Sequence, residues 1–373
     1  MDAVREVSSI SESEKVYKEF RHVPALDGLR GIAVLLVMMY HLDSLIPQLY
    51  PFVKGGFLGV DVFFVLSGFL ITSILIKEYE LTNKIFLKNF YVRRFLRLAP
   101  AFWLFLICLF FIDLIVLPTN QNSNSINPYN LFFSFFYLMN WYAAISPGMT
   151  GSLNHTWSLA IEEQFYIIWS LVIYKFFSEG KTRKQLVRFT TLTALLLIIC
   201  RGLRAGMGVD PYALYYSTDT RIDALLIGCL ASMIFSWQSI PNDFYQTKLF
   251  NSIAFSAIVL ALLILFNFTY LDPILYYAPL SIFAFSIAII ILWLSTRENT
   301  LIHQFMENKT LRWIGVISYG LYLWHFVMFE FAKKSFDSIW FQAFGGIILA
   351  FLVSAISYYL VEKPFLKLKE KFS

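Results

Sequence analysis

The amino-acid sequence predicts an all-α polytopic membrane protein: a bundle of about ten transmembrane helices plus one re-entrant or partial helix, with both termini in the cytoplasm. Three observations carry that expectation. Of the 373 residues, 58% are hydrophobic and only 15% are charged, against about 45–50% and about 25% in soluble domains. The 39 phenylalanines and a mean hydropathy of +0.63 suit a chain that faces lipid on every side and would aggregate in water. Apolar runs long enough to cross ~30 Å of hydrocarbon recur from one end to the other.

Those runs lie near 29–47, 57–76, 95–117, 157–177, 188–204, 219–237, 249–269, 274–294, 313–331 and 339–361. An eleventh, 129–146, follows a polar uncharged loop from Pro118 to Asn130 and contains Asn140, Pro147 and Gly148. The distribution of basic residues decides how to count it. They cluster in the N-terminal tail, in 77–97, in 175–188 and from Lys363 to Lys371. If 129–146 dips in and returns, all four clusters share the cytoplasmic side, as the positive-inside rule requires. Residues 118–156 then form one long exterior loop; Lys333 and Lys334 also fall outside and run against the rule. The expected organisation is a cytoplasmic tail (1–23), a membrane domain (24–365) and a second cytoplasmic tail (366–373). Residues 1–23 hold no apolar stretch of the kind a cleavable signal peptide needs. Cys108, Cys200 and Cys229 sit in apolar runs without CxxC spacing and read as small core hydrophobes.

Ionisable side chains within spans are costly and are candidates for function. In the first span Arg30 and His41 are eleven residues apart, about 1100° of helical rotation, and so share one face roughly 16 Å apart along the axis. Taken alone, they read equally as an interface anchor and a satisfied core histidine. Asp61 and Ser67 lie in G-G-F-L-G-V-D-V-F-F-V-L-S-G-F-L-I-T, where Asp61 also suits a helix cap. In N-H-T-W-S-L-A-I-E-E-Q-F-Y, Thr156 or Ser158 suits a cap. Glu162 and Glu163 then fall in the early turns, where carboxylates suit the helix dipole, although Gln164 and Tyr166 follow them at membrane depth. Asp219, Arg221 and Asp223 open another span in the pattern of an ion-paired gate. His325, in I-S-Y-G-L-Y-L-W-H-F, reads as a histidine packed among aromatics or as a second candidate base. No metal-ligand spacing and no Ser or Cys nucleophile motif is present.

These segments, in order, resemble the acyltransferase 3 family of bacterial integral-membrane O-acyltransferases. The resemblance runs from Pro24 to Pro364. It rests on L-D-G-L-R-G with Arg-x10-His, F-L-G-V-D-V-F-F-V-L-S-G-F, Y-V-R-R-F-L-R-L-A-P, H-T-W-S-L-A-I-E-E-Q-F-Y, R-I-D-A-L-L-I-G, Y-G-L-Y-L-W-H and V-E-K-P. It implies transfer of an acyl group, commonly acetyl, from cytoplasmic acyl-CoA to a hydroxyl of a glycan or similar acceptor in the bacterial inner membrane. It also implies that Arg30 and His41 are the family's essential pair and that Glu162 and Glu163 belong to another of its motifs. Some members carry an added extracytoplasmic esterase-like domain; none is expected here, which leaves direct transfer or a partner.

The chemistry agrees independently. An alcohol is a weak nucleophile near neutral pH, so acyl transfer calls for a general base, and histidine has a suitable pKa. A buried carboxylate such as Glu162 would fix its tautomer. Arg93, Arg94 and Arg97 suit bidentate recognition of CoA phosphates or, alternatively, only enforce topology. Aromatic residues at 137–142, with Tyr212, Tyr215 and Tyr216, suit sugar stacking as well as an interface belt. Two other classes stay open: a transporter of a small organic acid, against which no inverted repeat or paired broken helices are found, and a non-catalytic envelope subunit. No nucleic-acid partner is expected, and the oligomeric state is not readable from the sequence.

Overall fold

A computed structural model describes residues 23–116, 127–298 and 300–369. All regular structure among them is helical. The N-terminal tail, most of the Pro118–Asn130 loop and the last four residues lie outside the described residues.

The principal helices are α1 (Pro24–His41), α2 (Gly59–Thr82), α3 (Leu87–Val116), α4 (Pro128–Phe135), α5 (Met139–Ile145), α6 (Trp157–Ser178), α7 (Arg183–Gly206), α8 (Pro211–Tyr216), α9 (Ile222–Ser236), α10 (Lys248–Asn267), α11 (Pro279–Thr296), α12 (Lys309–Val316), α13 (Ser318–Ser335) and α14 (Ile339–Ser357). Among the described residues seven helices are long and apolar enough to cross a membrane, and eight if α12 and α13, bent by 75° at Ile317, are counted as one span. Helix α6 is long enough but carries Glu162, Glu163 and Lys175, and α9 has only 15 residues. The stretch 129–146 is split into α4 and α5, of 8 and 7 residues. At 1.5 Å per residue neither is long enough to span.

The bundle interior is largely apolar, and apolar side chains also cover its outside, as lipid allows. In α14, Ala343, Gly346, Ala350 and Ser354 are buried against α13, while Phe344, Ile348, Leu352 and Ile356 face outward. Small residues let backbones approach, which replaces the hydrophobic drive absent in a bilayer. At the α2–α9 crossing a Cβ on Gly68 would stand 1.9 Å from the Leu225 carbonyl oxygen, and one on Gly228 2.1 Å from that of Val65. Likewise α12 lies against α1, with a Cβ on Gly315 falling 1.8 Å from the Asp27 carbonyl oxygen.

Several expectations need correcting. The basic stretch 77–97, which falls between the expected spans 57–76 and 95–117, is largely helical: α2 continues to Thr82, α3 begins at Leu87, and Arg93, Arg94 and Arg97 ride on α3. Charge by itself does not break a helix, and these residues have a polar cavity to face. After α14 the chain passes through a π-helical turn, Tyr358–Glu362, into Lys363–Lys369, which packs on α3. Residues 366–369 are therefore wall rather than tail. Cys229 is a buried core residue, whereas Cys200 is exposed on the outer face of α7.

Candidate active site

A cavity of about 310 Å³ opens among α1, α2, α3, α6, α13 and the terminal helix. Helical periodicity builds its walls. Ser158, Glu162 and Tyr166 recur every four residues down one stripe of α6, the spacing that places side chains above one another. The α2 stripe contributes Val60, Phe63, Ser67 and Ile74 among others, and α3 contributes Arg93, Arg94 and Arg97. The π turn widens the helix after α14 and brings Tyr358 and Glu362 to the opposite wall; such turns are frequent at functional sites.

Guanidinium and carboxylate groups face each other across this space. Arg94 Nε donates to Glu163 Oε1 at 3.3 Å, and its guanidinium carbon stands 3.2 Å from the Tyr166 ring centre. Arg93 pairs with Glu78 at 3.2 Å. Arg97 makes no ion pair with another described residue, and its charged neighbours include Arg30, Arg94, Asp27 and Glu362. Arg30 donates to Ser318 Oγ at 3.1 Å, at the bend between α12 and α13. Ser67 donates to Glu162 Oε1 at 2.9 Å. Glu362 Oε1 is buried and has no hydrogen-bond partner among the described residues.

His41 stands beyond this chamber, at the far end of α1. Its Nδ1 lies 3.0 Å from the Val37 carbonyl oxygen and 3.1 Å from His325 Nε2. His155 adds a third ring, 5.6 Å from that of His325. Tyr322 joins the two regions. It lines the cavity, its hydroxyl is 2.6 Å from Ser158 Oγ, and its ring lies 5.9 Å from the His325 ring. Among the described residues no group of three His, Cys, Asp or Glu side chains is placed to hold a metal ion.

Some expected arrangements are not found. Glu162 does not orient His41. It lies on the arginine side, and a backbone carbonyl and a second histidine take the place proposed for it. Asp61 caps no helix: it is buried and pairs with Arg221 at 2.8 Å. Nor do Asp219, Arg221 and Asp223 pair among themselves. Asp219 pairs with Arg204 and Asp223 with Arg201 at 2.7 Å. Residues two apart point to different sides of this helix entry, so each finds its partner on another helix. Thr156 precedes α6 but accepts no backbone hydrogen bond there, because a 3-10 turn (Gly151–Thr156) runs straight into the helix. Ser158 turns to Tyr322 instead. Tyr215 and Tyr216 are buried against Trp157 rather than free to stack on a sugar. Gln164 bonds Asn140 at 2.9 Å, tying α6 to the α4–α5 hairpin.

Sequence reasoning missed Arg201, His155, Tyr322 and Glu362. Arg201 is 1% exposed in an apolar run and bonds Asp223, Ser281 and the Tyr276 carbonyl; its charge inside a span was signal enough. Glu362 stood in the quoted V-E-K-P. Tyr322 stood one turn before His325 in the quoted Y-G-L-Y-L-W-H; only the fold brings His155 next to them.

An all-helical, multi-pass membrane protein with an internal cavity lined by ionisable groups is the class that the fold and the site define. The chain belongs to the acyltransferase 3 family, whose acyltransferase domain matches residues 23–359. It is 32% identical over 363 residues to the peptidoglycan O-acetyltransferase OatA of Listeria monocytogenes, covering 93% of this chain and 56% of that protein. It is 34% identical over 378 residues to the O-acetyltransferase OatA of Staphylococcus aureus, covering 95% and 58%. A third relative, the putative peptidoglycan O-acetyltransferase YrhL of Bacillus subtilis, is 32% identical over 357 residues, covering 92% and 55%. The chain thus spans a little over half the length of these curated relatives. No solved structure matches.

Proposed function

We propose that the protein is a membrane O-acyltransferase that moves an acyl group, acetyl foremost, from cytoplasmic acyl-CoA to a hydroxyl of an envelope glycan. Peptidoglycan, named for two of the relatives, is the first acceptor to test. The observation that carries this reading is the cavity joining Arg30, Arg94 and Arg97 at one end to Tyr322, and through it to the histidines, at the other. A phosphorylated donor suits the arginine end, since guanidinium forks bind phosphate bidentately. The acyl thioester would then point inward, away from the phosphates. Glu162 and Glu163 hold the arginine end in register through Ser67 and Arg94.

In this reading His41 is the general base. The acceptor hydroxyl attacks the thioester carbonyl carbon, the C–S bond breaks, and the hydroxyl proton passes through His41 Nε2 to the departing CoA sulfur. The topology goes with it: about ten spans, both termini and the arginine end in the cytoplasm of a bacterium, and the α4–α5 hairpin on the exterior side. The full chain in proteoliposomes, given acetyl-CoA and a soluble disaccharide glycopeptide of peptidoglycan, should release CoA thiol and yield O-acetylated glycopeptide. His41→Gln keeps a hydrogen-bonding group but takes no proton near neutral pH; it should lower turnover about 10²–10⁴-fold at normal membrane level. Near-normal turnover in that variant would refute the base assignment.

A further inference from the structure

His41 and His325 come from positions 284 residues apart, and backbone carbonyls determine how each is protonated. His41 Nδ1 lies 3.0 Å from the Val37 carbonyl oxygen, one helical turn earlier. A carbonyl oxygen only accepts, so Nδ1 carries the hydrogen. His325 Nδ1 stands in the same relation to the Leu321 carbonyl, at 2.9 Å, and it too carries a hydrogen. A neutral imidazole has one N–H, so Nε2 is bare in both rings. The 3.1 Å contact between His325 Nε2 and His41 Nδ1 is then a lone pair facing an N–H, shared with Val37. His41 Nε2 makes no hydrogen bond to another described residue and is left as a free base.

We propose that His325 is the positioning residue for His41, in the role a carboxylate plays in a Ser-His-Asp triad. This rests on His41 being the base. His325 accepts the Nδ1–H, holds Nε2 toward the acceptor, and shares the positive charge that His41 gains when the hydroxyl proton arrives. That proton leaves from His41 Nε2 to the CoA sulfur, and His325 ends the cycle as it began. A neutral acceptor stabilises an imidazolium less than a carboxylate does. In return it places no fixed charge at a fully buried site; His325 is 0% exposed, and an unpaired carboxylate there would be costly. Leu321 alone would satisfy a histidine that merely packs; the approach of Nε2 to His41 is the part that packing does not require. His155 completes the surround. Its Nε2 donates to the Leu323 carbonyl at 3.1 Å and its ring meets that of His325 edge to face.

The test compares His325→Leu with His325→Gln, whose side-chain oxygen reaches the place of Nε2 and accepts. In proteoliposomes with acetyl-CoA and the glycopeptide, His325→Leu should lower kcat about 10- to 100-fold, with the acetyl-CoA KM within about twofold of wild type. His325→Gln should recover to within about fivefold of wild type. Added to His41→Gln, His325→Leu should cost nothing further, because residues acting as a unit are not additive. Unchanged kcat in His325→Leu would overturn the proposal. So would a Gln variant as poor as the Leu variant with an equal loss of folded protein. If His41→Gln alone stays active, the base assignment itself fails. If His41→Gln is inactive by itself and the double variant loses activity multiplicatively, only the coupling fails.

Discussion

The three arginines of α3 occupy different settings, and this makes their removal informative. Arg97 lines the cavity with no ion pair among the described residues, whereas Arg94 bonds Glu163 and lies on the Tyr166 ring. Arg97→Ala removes a group that makes no ion pair among the described residues and whose attraction to Asp27 and Glu362 opposes its repulsion from Arg30 and Arg94, so its cost should fall mainly on the ligand. A hydrogen bond to a charged group is worth about 1.5–3 kcal/mol, or roughly 10- to 150-fold in acetyl-CoA KM at about 1.4 kcal/mol per decade. Removing Arg94 also leaves Glu163, whose side chain is 21% exposed, without its partner. That desolvation penalty is about 1–3 kcal/mol, with up to ~1 more for the lost ring contact. Arg94→Ala should therefore lower both the thermal midpoint and the affinity, and Arg97→Ala the affinity alone. Steady-state kinetics in proteoliposomes and scanning fluorimetry of the purified variants separate the two. An unchanged KM in Arg97→Ala, or a midpoint falling as far as in Arg94→Ala, would refute the reasoning.

Asp61→Ala should destabilise by about 3–5 kcal/mol, because it leaves the fully buried Arg221 uncompensated; thermal unfolding should show part of the loss returned by adding Arg221→Leu, and strict additivity would contradict the pairing. Gly68→Leu should abolish folded yield, read by size-exclusion profile, since even its Cβ would overlap the Leu225 carbonyl oxygen. With the three native cysteines replaced, Met149→Cys should react with an impermeant maleimide in intact cells and Lys184→Cys should not; labelling of both would break the proposed topology.

The sequence displayed the membrane class, the order of the apolar runs and the ionisable residues worth pursuing, because lipid removes every charge without a use. Rotation along the sequence puts Arg30 and His41 on one stripe, and α1 does run unbroken from Pro24 to His41. The rise of roughly 16 Å between them separates the two ends: Arg30 lines the arginine chamber and His41 meets the histidines. What was hidden is mostly long-range. Ser318 meets Arg30 across 288 positions, and His325 meets His41 across 284. Local pattern cannot foresee that His41 and His325 meet. It did identify both rings as candidates, and left open whether His325 packs among aromatics or acts as a second base. Glu162 drew its expected partner from the chemistry of triads, while its position on α6 put Ser67 within reach instead.

The π turn at Tyr358–Glu362 amounts to one residue more than a regular helix would hold. Each residue turns a helix by about 100°, so the addition resets which side of the chain faces inward. Upstream, Ala350 and Ser354 look toward α13; downstream, Leu366 and Lys369 look into the cavity. A deletion of Leu360 would leave composition, hydropathy and spanning length almost untouched. It would nevertheless rotate Lys363–Lys369 away from α3 and remove one wall of the chamber. A chain with one residue more or fewer here would have a different chamber wall while looking alike in every hydropathy profile.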